Sequence, residues 1–135
     1  MNSIAAFQKC EPEINQVDIN MEDFRKFKAW RDSRLLLFDI YDITRNFPDK
    51  DAPQFKNLTR KLAVLISGNI VRGLQEKNPD LRDEFLNNAE SCMNRLNILI
   101  QAAYKKGYLQ ESVTQNLFNE IRRSLDGIQH LSDRR

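Results

Sequence analysis

Between Phe24 and Leu131 the sequence carries long amphipathic helical text that breaks only three times. The breaks are Phe47-Pro48-Asp49-Lys50-Asp51, Glu76-Lys77-Asn78-Pro79 and Gly107-Tyr108-Leu109-Gln110. Pro48 removes a backbone donor and disfavours the helical conformation at Phe47 before it. Asn78 followed by Pro79 is a cap and first-turn pair, and Gly107 supplies the left-handed residue that ends a helix. Three breaks leave four helices of about 20–27 residues, each roughly 30–40 Å long at 1.5 Å per residue. Helices of matched length joined by tight turns hide their apolar stripes by packing antiparallel with their neighbours. The expected fold is all-α, an antiparallel up-down-up-down four-helix bundle over residues 21–135, preceded by a short, partly ordered acidic leader, 1–20.

In helix one, Asn20 is placed to cap, and Glu22 and Asp23 suit the positive end of the helix dipole. Its apolar residues fall in two rows, Phe27, Trp30, Leu37, Tyr41, Thr44 and Leu36, Ile40, Ile43, Phe47. Aromatic residues at helical spacing belong in a core, so Trp30, Tyr41 and Phe47 are expected there. Helix two opens at Asp51, with Gln54 as capping-box partner and Pro53 in the first turn. Its stripe is Phe55, Leu58, Leu62, Leu65/Ile66, Asn69 and Gly73, in which Asn69 is the one polar break. A buried amide there would fix helix register. Helix three turns Leu81, Phe85, Ala89, Met93, Leu96, Ile100 and Ala103 inward; helix four, 111–131, does so with Val113, Leu117, Ile121, Leu125, Ile128 and Leu131. Gly127 inside helix four marks either a close helix–helix approach or tolerance near a helix end.

At 135 residues, 41% of them hydrophobic and 30% charged, the chain has room for one substantial core. No apolar run nears the ~20 residues that span a bilayer. The first residues lack the basic and apolar regions of a signal peptide, so a cytoplasmic protein is expected, with Cys10 and Cys92 as reduced thiols. Charge is unevenly spread: residues 1–23 hold one basic and five acidic side chains, while residues 24–135 hold 20 basic and 14 acidic ones. A basic bundle with an acidic leader is compatible with nucleic-acid contact that the leader screens.

The candidate phosphate-binding residues are Arg60, Lys61, Arg72, Lys77 and Arg95 on the second and third helices, with Arg122 and Arg123 on the fourth. Phosphate binding needs cations on one surface, and arginine grips phosphate with two parallel hydrogen bonds. A second basic cluster, Arg25, Lys26, Lys28, Arg31 and Arg34, crowds the start of helix one, where positive charge opposes the dipole and needs an acidic offset. Catalytic chemistry is poorly represented. One histidine and two unrelated cysteines do not make a zinc set, and no Gly-rich phosphate loop or nucleophile elbow occurs. No cofactor is expected. The one enzymatic arrangement worth naming pairs Arg123 with His130, six residues between them, as in small helical ribonucleases.

The order Phe24-x-x-Phe27-x-x-Trp30, Leu36, Tyr41, Thr44 and Phe47-Pro48 continues through Arg60-Lys61, Ala63-Val64, Ile66 and Asn69-Ile70-x-x-Gly73 to Phe85-Leu86-x-x-Ala89 and Gly107-Tyr108-Leu109. It resembles the four-helix-bundle proteins encoded in intervening sequences of bacterial 23S rRNA genes. That resemblance implies a ring-like homo-oligomer, a pentamer, and a link to RNA. Ala89-x-x-x-Met93-x-Arg95-Leu96-x-x-Leu99 and Glu120-Ile121-x-Arg123-x-Leu125-x-Gly127 are similar to a related branch, the accessory protein of diversity-generating retroelements. This second likeness implies a reverse transcriptase and nucleic acid as partners. Arg72 and Arg95 depart from the intervening-sequence pattern, which has glutamate at both places.

The function expected from these observations is non-enzymatic: an oligomeric adaptor that presents a repeated basic surface to structured RNA or to an RNA-handling protein. The alternatives are a reverse-transcriptase accessory and a helical ribonuclease using Arg123 and His130.

Overall fold

Among the described residues the chain forms four helices and no strand: α1 Met21–Thr44, α2 Pro53–Gln75, α3 Pro79–Lys105 and α4 Glu111–Ser132. This computed structural model describes residues 21–48 and 53–132, so the leader, Cys10 and the expected cap at Asp51 lie outside the described residues. α1 packs on α2 and α4, and α3 packs on the same two, so sequence neighbours are also spatial neighbours and α4 closes the bundle onto α1. The antiparallel four-helix bundle expected from the turns is the fold observed.

Local chemistry explains where each helix stops. α1 ends at Thr44, whose hydroxyl donates to the Ile40 carbonyl at 2.7 Å, and Phe47 N–H then bonds back to Thr44 O at 3.1 Å. Pro53 opens α2, where its missing N–H costs nothing. Asn78 caps α3 by accepting from the N–H groups of Asp80 (2.9 Å) and Leu81 (3.3 Å), and Pro79 takes the first helical position. At the other end of α3, Gly107 adopts φ +84°. Gly107 N–H bonds to Tyr104 O and Tyr108 N–H to Ala103 O, the paired bonds of a Schellman cap.

The core runs along Leu36 and Ile40 of α1, Leu62, Ile66 and Ile70 of α2, Leu86, Met93, Leu96 and Ile100 of α3, and Leu117, Ile121 and Ile128 of α4. Cys92, a free thiol, is buried beside it. Two helices are rotated relative to the stripes read from sequence. In α1 the buried face is Ala29, Ser33, Leu36, Ile40 and Thr44, while Phe27 and Tyr41 are exposed and Trp30 is half-buried. α1 meets α4 where Ala29 lies beside Gly127: a β-carbon added at Gly127 would come to 3.8 Å from Ala29, ordinary contact distance. In α2 the buried face is Thr59, Leu62, Ala63, Ile66, Ser67, Ile70 and Gly73; Leu58 and Leu65 are exposed. Asn69 is half-buried and donates to the carbonyl of Leu65 in its own helix at 2.8 Å, so it does not set register from within the core. Leu81, expected inside α3, is exposed.

The two ends of the bundle differ. At one end Phe47, Phe55 and Tyr108 form a ring cluster with centroids 5.3–6.2 Å apart, tying the end of α1, the start of α2 and the α3–α4 turn together. At the other end the α2–α3 turn is polar, with Asn78 N–H bonded to Glu76 Oε2 at 3.2 Å.

Candidate nucleic-acid interface

The cations proposed from sequence do not gather on one surface. Arg60 is engaged within the fold: its Nε donates to Thr44 Oγ1 at 2.7 Å, its Nη2 to Tyr41 O at 3.2 Å, and its guanidinium lies 4.7 Å from the Tyr41 ring centroid. It locks the end of α1 against α2. Lys61 and Arg72 are exposed on α2, eleven residues apart and so within about 20° of each other around the helix. Arg95 lines the groove between α2 and α3 with Leu58, Leu62, Ile98 and Leu99. Lys77 is exposed in the α2–α3 turn. Lys61 and Arg72 thus lie on α2, Lys77 in the turn after it, and Arg95 on α3.

Arg122 and Arg123 diverge around α4. Arg122 lines the α3–α4 groove with Asn97, Gln101 and Phe118. Arg123 lines the α1–α4 cleft with Asp32, Leu35, Asp39 and Glu120. Because α4 sits across the bundle from α2, no single phosphate backbone lying along α2 and α3 reaches both. Among the described residues, Lys61, Arg72, Lys77, Arg95 and Arg122 make no salt bridge.

The cluster at the start of α1 is offset in part by the helix's own carboxylates. Lys26 pairs with Glu22 at 3.4 Å, and Asp32 takes both Lys28 (3.0 Å) and Arg31 (3.4 Å). Arg34 instead stacks, 5.7 Å from the Trp30 centroid and 5.2 Å from that of Phe38. Together Phe24, Arg34, Phe38 (57% exposed) and Tyr41 (42% exposed) make an aromatic and basic face pointing away from the core. Sequence reading missed this face because it assigned both apolar rows of α1 to the interior. The signal was present: two rows on one helix are wider than one core-facing stripe requires. Exposed apolar residues recur on α2 (Leu58, Val64, Leu65) and on α3 (Ile98, 64% exposed).

The α1–α4 cleft, about 200 Å³, holds a second arrangement that sequence did not reveal. Glu120 of α4 is pushed up from 4.5 to about 8, first by burial, then by its hydrogen bond to the Asp39 carboxyl and the Asp39 charge. Arg123 pulls it down, and Asp32 adds to the rise. Glu120 Oε1 is buried with no hydrogen-bond partner. His130, on the same helix, has its Nδ1 2.8 Å from the Asp126 carbonyl.

Among the described residues no group of three or more histidine, cysteine or acidic side chains is arranged to hold a metal ion, and no helix is long and apolar enough to cross a membrane. A comparison with curated proteins finds no match. A family model described as 23S rRNA-intervening sequence protein matches residues 25–130, from the first turns of α1 to the end of α4. Four helices, their turns and the span of that match agree, and the chain belongs to the 23S rRNA-intervening sequence protein family.

Proposed function

We propose that the protein is a non-enzymatic, self-associating bundle that binds structured RNA through the α2–α3 side. The observation that carries this reading is the set Lys61, Arg72, Lys77 and Arg95: four exposed cations on α2, α3 and the turn between them, with no intramolecular salt bridge among the described residues. Cations left unneutralised by the fold release counterions when they meet a phosphate backbone, which makes binding favourable and salt-dependent. The family's description supports an RNA-related role. Self-association, as a pentamer by the resemblance, would bury the apolar residues exposed on α1, α2 and α3 and repeat the basic side around a ring. Several weak phosphate contacts then act at high effective concentration.

The test is an electrophoretic shift of structured RNA at rising salt. Native protein should bind with a steep salt dependence. Arg72→Glu with Arg95→Glu should weaken binding at least tenfold and flatten the logarithmic salt slope by about two. Equal affinity of native and double-variant protein at all salt concentrations would remove the reading. Recovery of a reverse transcriptase with the protein, in place of RNA, would favour the accessory role instead.

A further inference from the structure

The α1–α4 seam brings two carboxyl groups into one cleft. Glu120 of α4 and Asp39 of α1 line it together, and Asp32, Leu35 and Arg123 complete it. Ionised carboxylates only accept hydrogen bonds, so two of them bond to each other only when one holds a proton. Glu120 Oε1, buried and without a donor, makes the ionised form of that side chain more costly still. We infer that Asp39 and Glu120 share one proton as a latch across the α1–α4 seam, and that its removal loosens the two helices.

The charges facing the latch are few. From α1 they are Asp39 itself and Asp32, and Asp32 is already held by Lys28 at 3.0 Å and Arg31 at 3.4 Å. From α4 there is Arg123, one turn beyond Glu120, which favours the ionised state but does not outweigh burial and Asp39. α3, on the other flank of α4, presents the neutral amides of Asn97 and Gln101 to the groove beside it. With the proton in place, one negative charge of the pair faces Arg123. Without it, two do, and they repel across a seam already close enough to set Ala29 against Gly127.

The sign follows from linkage. The Glu120 carboxyl releases its proton near 4.5 in the unfolded chain and near 8 in the fold. Between those values the folded state holds more protons, so stability falls as pH rises through that window and levels off above it. The contribution is fully present below about 4.5 and lost by passage through about 8. Because Glu120 is only half-buried, solvent screening keeps the effect modest.

Thermal melts from pH 6 to pH 9 on native protein, Glu120→Gln and Asp39→Asn test the latch. The native midpoint should fall by roughly 3–6 °C relative to Glu120→Gln across this interval. Asp39→Asn, which keeps Glu120 buried but removes its charged neighbour, should give an intermediate slope. Groups elsewhere in the chain are common to all three proteins and cancel. Parallel profiles for native protein and Glu120→Gln overturn the inference, and so does an Asp39→Asn slope equal to the native one. Should Glu120→Gln fail to fold, carbon NMR of the native Glu120 carboxyl decides: a midpoint near 8 supports the latch, and one near 4.5 sinks it.

Discussion

A β-carbon added at Gly73 would sit 2.8 Å from Leu86 Cδ2 and 3.1 Å from its Cγ, whereas one added at Gly68 meets nothing within 4 Å. Both glycines lie inside α2, where exchange for alanine favours the helix by roughly 1 kcal/mol. At position 73 that gain is opposed by overpacking against a fully buried leucine, which costs about 1–3 kcal/mol. Gly73→Ala should therefore lower the thermal midpoint and Gly68→Ala raise it, each by a few degrees in a melt monitored by circular dichroism. A loss at Gly68 would instead place another surface against that exposed position. At this scale the sequence was readable wherever the cause was local. Asn78-Pro79 and Gly107 announce their cap and their left-handed turn through their own backbone chemistry. Gly73 falls on the inner stripe of the sequence pattern, but its need to be glycine depends on Leu86, which only the α2–α3 packing brings near.

At the scale of elements, α1 was the hardest to read. Its inner face is built from Ala29 and Ser33 beside Leu36 and Ile40, and small residues give a weak hydrophobic signal. The aromatic residues gave a strong one, and it pointed outward. Which row faces the core is decided by how α1 packs on both α2 and α4, and that is a property of the helices together. The outer row has its own implication: Phe24, Phe38 and Tyr41 leave aromatic surface in water, and such patches mark contact sites. If copies of the protein meet through this face, Phe38→Asp should reduce the mass measured by light scattering toward that of a single chain. Its helical content should stay native, because Phe38 is more than half exposed and lies outside the core. An unchanged assembly in Phe38→Asp would exclude α1 from the contact.

For the whole molecule, the bundle and its topology were legible because they follow from turn spacing and helix length alone. The candidate interface was legible only as a set of residue types. Its division into an α2–α3 side and two separate α4 flanks required the helices to be placed around the core. Arg60 shows the difference most clearly: a cation next to Lys61 in sequence is committed to Thr44 and Tyr41 in space. The carboxyl pair was invisible for a related reason, since Asp39 and Glu120 come from opposite ends of the chain and meet only when α4 closes on α1.

The three-ring cluster of Phe47, Phe55 and Tyr108 has a consequence for how the protein comes apart. The end of α1, the start of α2 and the α3–α4 turn are pinned at that pole, while the opposite pole has a hydrophilic hairpin and the small-residue crossing of Ala29 and Gly127. Partial opening should begin at the unpinned pole and travel toward the rings. Amide hydrogens near Ile40 and Ile100 should thus exchange with deuterium last, and those near Ala29 and Ile128 earlier, although all four residues are equally hidden from solvent. A bundle built this way is a clasp with one riveted end, able to part its arms without losing its register.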